Sequence, residues 1–183
     1  MTYQIQASTM FGLESVTADE LKKLGYEDLT VENGKVTFEG DEMDIAIANV
    51  HLRTAERVLI KVAQFEAKTF DELFEKTKEI EWGEIIPIHG KMYVTGRSVK
   101  STLFSVPDCQ AIVKKAIIEA MKRKYGRNKS FAENGPLYKI DVALMKDVVT
   151  LTIDTTGDGL HKIGYREYAG PAPLKETLAA AMV

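Results

Sequence analysis

Residues 28–40 read DLTVENGKVTFEG, and this stretch decides how the first third of the chain folds. Two short β-rich runs flank Asn33-Gly34. That dipeptide suits a two-residue hairpin, because a type I′ turn needs positive φ at both central positions. A type I′ hairpin is therefore expected here. Working outward, Glu14 to Leu24 reads as a helix, with Leu13, Val16, Leu21 and Leu24 on one face and Gly25 as its stop. Before it, residues 3–9 (YQIQAST) alternate as a strand does. After the hairpin, Asp41 opens a second helix through Met43, Ile45, Ala48 and Leu52, and residues 57–66 (RVLIKVAQFE) give a further strand.

The resulting order is βαββαβ. It predicts a ferredoxin-like arrangement, an antiparallel four-stranded sheet with two helices on one face, closing near residue 67. A second unit follows. Thr69 and Glu72 have the spacing of a capping box, in which each side chain satisfies a free N–H at the helix start. Phe70, Phe74 and Trp82 are aromatic, but their helical spacing fits core packing better than base stacking. Residues 80–90 form a connector and 91–96 a strand, from which Arg97, Ser98, Lys100 and Ser101 lead away. Pro107 and Asp108 suit the first turn of a long helix ending at Tyr125-Gly126. Strands at 137–145 and 148–154, joined across Lys146-Asp147, complete an α-β-α-β-β unit.

Charge is strongly segregated. Residues 91–129 hold ten Lys/Arg against two acids, a local net of +8, whereas residues 1–90 carry −9 and residues 130–183 carry −2. A basic block in an acidic chain favours an anionic partner. The bases near the end of the long helix are also favoured by its macrodipole. That does not account for Arg97, Ser98, Lys100 and Ser101, which lie in another part of the fold. No apolar run approaches the ~18 residues of a spanning helix. The start MTYQIQASTM is not a signal peptide, and a lone Cys109 fits a reducing compartment, so the cytoplasm is expected.

Catalytic groups are scarce. His51, His89 and His161 are far apart and lack metal-ligand spacing, so no metal is expected. Cys109 sits in the first turn of the basic helix, where a thiolate is stabilised, but no base accompanies it. Gly157 and Gly159 are followed by Lys162 where a dinucleotide fingerprint needs a third glycine. Asp154 and Asp158 in that turn are weak evidence for a cation site. No catalytic residue is expected in this chain.

Three segments, GRSVKSTLFSVPDCQAIVKKAI, LTIDTTGDGLHKIGYR and APLKETLAAAMV, together with the opening STMFGLESVTADELKKLGY, resemble the THUMP-domain RNA methyltransferases. Within these, the chain is similar to the S-adenosylmethionine-dependent ribosomal-RNA guanine-N2 methyltransferases, often labelled N6-adenine-specific DNA methylases. Ile163 departs from the resemblance, standing where the family usually carries a base. The resemblance implies a mixed α+β fold: a ferredoxin-like βαββαβ domain at 1–67, then a THUMP domain with a mixed sheet at 68–165. Residues 166–183 would then be a linker and the start of a Rossmann-type domain, and the uncapped tail LKETLAAAMV is expected to end at a cut. It also implies S-adenosylmethionine as cofactor of the intact protein, none in this part, and RNA, most of all 23S rRNA, as partner.

The candidate RNA-binding residues are Arg97, Ser98, Lys100, Ser101, Lys114, Lys115, Lys122, Arg123, Lys124, Arg127 and Lys129. Two other classes of function stay open on the sequence: a free-standing RNA-binding adaptor, and a ferredoxin-like regulatory or oligomerisation module whose acidic first 90 residues dock a protein.

Overall fold

A computed structural model describes residues 2–126, 131–162, 170–171 and 173–183 of the chain. Its elements fall into two compact units, residues 1–61 with 154–183, and residues 62–153.

The first unit is built on β1 (Tyr3–Thr9), α1 (Glu14–Lys23), β2 (Thr30–Glu32), β3 (Lys35–Gly40), α2 (Glu42–His51) and the first half of β4 (Ala55–Glu66). Its strand order, β2-β3-β1-β4, with every described pairing antiparallel, is the ferredoxin-like one. Alternation puts Ile5 and Ala7 of β1, Val36 and Phe38 of β3 and Val58 of β4 on one face, where Ala18, Leu21 and Ala48 of the helices cover them. All eight are 3% exposed or less. A capping box at Asp41 and Asp44 starts α2, the Asp41 carboxylate accepting the N–H groups of Met43 and Asp44.

The hairpin stands where its sequence placed it, Glu32 opposite Lys35, but its turn is not type I′. Gly34 has φ +76°, whereas Asn33 is outside the left-handed region. Tertiary contacts set this geometry. The Gly34 N–H donates to the Glu14 carboxylate at 2.8 Å, and its carbonyl accepts the Thr9 N–H at 2.9 Å. Glu14 also accepts the Gly12 N–H, so one carboxylate ties the hairpin to the start of α1.

The second unit contains the rest of β4, α3 (Phe70–Glu79), α4 (Trp82–Ile85), β5 (Lys91–Val99), α5 (Val106–Tyr125), β6 (Leu137–Met145) and β7 (Val148–Asp154). Strand order is β4-β7-β6-β5, and β5 runs parallel to β6, which makes the chain's sheet pairing mixed. Thr69 and Glu72 do form a capping box. Buried Cys109, Val113, Ala116, Ile117, Ala120 and Met121 form the stripe of α5. Trp82 is fully buried, with its Nε1–H donating to the Thr77 carbonyl, so its role is packing. Phe70 and Phe74 stay partly exposed.

A short 3₁₀ turn at Leu160–Lys162 and a terminal helix, α6 (Glu176–Ala181), follow β7 and belong to the first unit. Thr155 and Thr156 bind Asn49 and Val58 there, and Arg57 donates to Asp154 at 2.5 Å and to the Gly157 carbonyl at 2.9 Å. Asp154 is thus spent on an ion pair within the fold, and the Asp154–Asp158 turn is not a ready cation site. Among the described residues no cluster of three His, Cys, Asp or Glu could hold a metal, and no helix is long and apolar enough to cross a membrane.

Candidate nucleic-acid interface

Two elements of the second unit carry most of the candidate bases, β5 with its exit loop and α5. They use their charges differently.

On α5 the cations have internal partners. The Lys114 ammonium reaches Glu133 at 3.0 Å and the Met92 carbonyl at 3.3 Å. Lys122 pairs with Glu119 at 2.7 Å, one helical turn away. The Arg123 guanidinium donates to the carbonyls of Lys78, Glu79 and Ile80, where α3 ends with unsatisfied acceptors. Lys124 donates to the Gly83 carbonyl and to Glu84, and the hydrogen bond to Glu84 raises its pKa. Lys115 is the exception. It is exposed, its ammonium stands 5.8 Å from the centroid of the Phe74 ring, and its charge adds to the hydrogen bond from Lys122 in lowering the Glu119 pKa. Arg127 and Lys129 lie outside the described residues.

On β5 the structure corrects one expectation. The strand continues to Val99, so Arg97 and Ser98 lie within it, because ladder pairing with β6 persists to Val99 opposite Met145. Arg97 is exposed and meets Asp141 at 3.4 Å. The Ser98 hydroxyl donates to the Leu103 carbonyl at 2.7 Å, and that of Ser101 donates to Val99 and accepts the Asp147 N–H. Both hydroxyls therefore shape the loop. Lys100 is exposed, with no side-chain partner among the described residues.

Lys68 and Lys146 also reach this corner, and a count taken along the linear basic block does not find them. The Lys146 N–H donates to the Val99 carbonyl, and the Asp147 carbonyl accepts the Ala67 N–H, so the β6–β7 turn touches both chain segments. The signal that could have found Lys146 was its place in a hairpin turn. The Asp147 carboxylate accepts the Thr102 N–H at 2.6 Å, and this bond holds its pKa down, with Lys68 adding to the effect. Lys68 also lies in the field of Glu72.

Cys109 is corrected too. It is 1% exposed, and burial, with the charge of Asp108, pushes its thiol pKa up, away from the thiolate that a helix start favours. In the first unit, His51 and His161, distant in sequence, line one open cavity of about 830 Å³ together with Arg53 and Lys23.

Residues 4–59 match the family described as the RlmL ferredoxin-like domain, and residues 67–154 match the THUMP domain. YpsC of Bacillus subtilis (strain 168), which carries an RNA methyltransferase designation, is 56% identical over 182 residues, covering 99% of this chain and 47% of that protein. A Listeria monocytogenes str. 4b F2365 protein designated a predicted N6-adenine-specific DNA methylase is 55% identical, with a TM-score of 0.95 over all of this chain and 48% of its own. SMU.472, designated a methyltransferase and crystallised with SAH, is 41% identical, with a TM-score of 0.93 over 99% of this chain and 48% of its own. The chain thus spans about half the length of these relatives. It is an RlmL ferredoxin-like domain followed by a THUMP domain, related along nearly its whole length to the N-terminal portion of these longer proteins.

Proposed function

We propose that this chain is the RNA-recognition half of a cytoplasmic, S-adenosylmethionine-dependent methyltransferase that acts on the N2 amine of a guanine in 23S rRNA. The observation that carries the reading is the coincidence of the THUMP match, residues 67–154, with the block of net charge +8 at 91–129. The methyl donor is supported by the relative crystallised with SAH, and the guanine amine by the resemblance of the three segments quoted above. In this reading the domains divide at 67 and 165, and among the described candidate residues Lys100 and Lys115 are the bases with no hydrogen-bonded or ion-paired partner to give up, with Arg97 only loosely held. The remaining candidates on α5 reach RNA only by giving up contacts within the fold.

The test is a fluorescence-anisotropy titration of the chain with a labelled 23S rRNA hairpin at several salt concentrations. Each phosphate neutralised contributes roughly 0.7 to 0.9 to the log–log salt slope. Binding that weakens steeply between about 50 and 200 mM salt is expected. Failure to bind at the lower salt overturns the proposal, and methyl transfer by this chain alone overturns the division of labour.

A further inference from the structure

We propose that the outer face of α2 is a self-association surface, on which a second copy of this chain lays its own α2 antiparallel about a two-fold axis. The inference concerns the first unit alone and does not depend on the RNA reading.

A helix lying on a sheet needs one apolar stripe and presents polar residues to water. α1 obeys that rule. Its Ala18 and Leu21 are buried, while Ser15, Asp19 and Lys22 are exposed, with Asp19 and Lys22 paired at 3.4 Å. α2 does not. Ala48 is buried and Ile45 packs against the core, yet Met43 and Val50 are 67% and 66% exposed. Ala46 is exposed too, and Ile47 is half-buried. Positions 43, 46, 47 and 50 share one side of a helix, because neighbours on a helix surface stand three or four residues apart. No charged residue lies between Asp44 and His51, so α2 is apolar on both sides. A helix of that kind is ordinarily covered on both sides.

The pattern of α2 itself singles out a second copy as the occupant. Its apolar face is symmetric about Ala46 and Ile47, so reversing the helix sets Met43 against the partner's Val50 and Val50 against the partner's Met43. Ala46, near the centre, is small enough for two backbones to approach, and Met43 is a side chain that adapts to an irregular surface. Charge is complementary under the same reversal. The helix starts with Asp41, Glu42 and Asp44 and ends at His51, with the exposed Arg53 two residues on. The hydroxyls of Tyr3 and Tyr26 donate to Glu42 and Asp44 at 2.8 and 2.7 Å and hold these carboxylates in place. Antiparallel copies bring the acidic start of each helix to the basic end of the other, whereas a parallel pair sets like charges side by side. Two ten-residue helices bury less than the ~1,200 Å² of a stable complex, so the dimer is weak, with a Kd on the order of 100 µM.

Sedimentation equilibrium of the 183-residue chain, from about 10 to about 500 µM, reads the association. Wild type is expected to pass from monomer toward dimer over that range. Val50→Glu and Met43→Lys should each weaken the dimer about tenfold, and Val50→Leu should keep it. Cross-linking with copper phenanthroline tests the orientation. Cys109 is buried, so an introduced surface cysteine is the reactive thiol. Met43→Cys and Val50→Cys chains should cross-link when mixed and resist it separately, and Ser15→Cys, on α1, should not cross-link. Wild type that stays monomeric to the highest concentration overturns the inference and gives the face to a different protein surface. A dimer that both Val50→Glu and Met43→Lys leave intact, or Met43→Cys that cross-links to itself, overturns it as well. None of these outcomes touches the RNA reading.

Discussion

The Arg123 guanidinium, in the last turn of α5, donates to the carbonyl of Lys78 at 2.5 Å. It reaches the next two carbonyls as well, so a side chain of one helix closes the open end of another. A basic cluster that looks like a binding face in sequence is partly a clamp between α3 and α5.

Replacing Arg123 by Ala removes charge-assisted bonds to the end of α3 and should destabilise the chain by about 1–2 kcal/mol. Arg123→Lys should recover only part, since an ammonium lacks the planar fork. Urea denaturation measures the loss. The RNA salt slope should stay the same in both variants, and a fall of one phosphate's worth would place Arg123 on the ligand.

Trp82 is the sole tryptophan and is fully buried. Its emission therefore reports on the second unit and should shift to the red on unfolding. Trp82→Ala should lose about 3–5 kcal/mol through the cavity it leaves. Trp82→Phe forfeits the bond to the Thr77 carbonyl and some volume, and should cost less than the alanine change. Thermal melts followed by circular dichroism distinguish the two.

At the hairpin, Gly34→Ala places a side chain at φ +76° and should destabilise by about 1 kcal/mol. A Cβ there meets only ordinary contacts, at 3.6 Å and beyond, so the loss is backbone strain. Asn33→Ala should cost much less, since Asn33 is not left-handed. Denaturant midpoints of the two variants give the comparison, and equal losses would contradict the turn geometry.

Acid stability should depend on Glu14. Its pKa is lowered chiefly by the N–H of Gly34, so the folded state binds the proton less readily than the unfolded chain does. Such a group stabilises fully above the unfolded pKa of about 4.3, and its contribution disappears as pH falls through the lower folded value. Glu14→Gln should therefore flatten the fall in melting temperature as pH drops below about 4.3. A profile identical to wild type would show that the carboxylate does not hold the hairpin.

Much of the fold was legible because its signals are local. The alternation of residues 3–9, the Asn-Gly hairpin, the Thr69–Glu72 capping box and the stripe of α5 each rest on neighbours a few residues apart, and each element formed where its pattern lay. The candidate site was less legible. Lys114, Lys122, Arg123 and Lys124 are equally basic on paper, and their partners Met92, Glu133, Lys78, Gly83 and Glu84 are, apart from the local Lys122–Glu119 pair, set by the packing of distant segments.

The sequence by itself determined the order of the strands and of the longer helices and the segregation of charge, since periodicity, capping and composition act over short stretches, whereas the families came from the resemblance of whole segments and the short helix at Trp82–Ile85 lay where a connector was expected. Only the tertiary structure decided which charges are spent inside the fold. It also returned residues 154–183 to the first unit and brought Lys100 and Lys146 to one corner, because these depend on hydrogen bonds across long sequence separations, such as Val99 with Lys146 and Asn49 with Thr155.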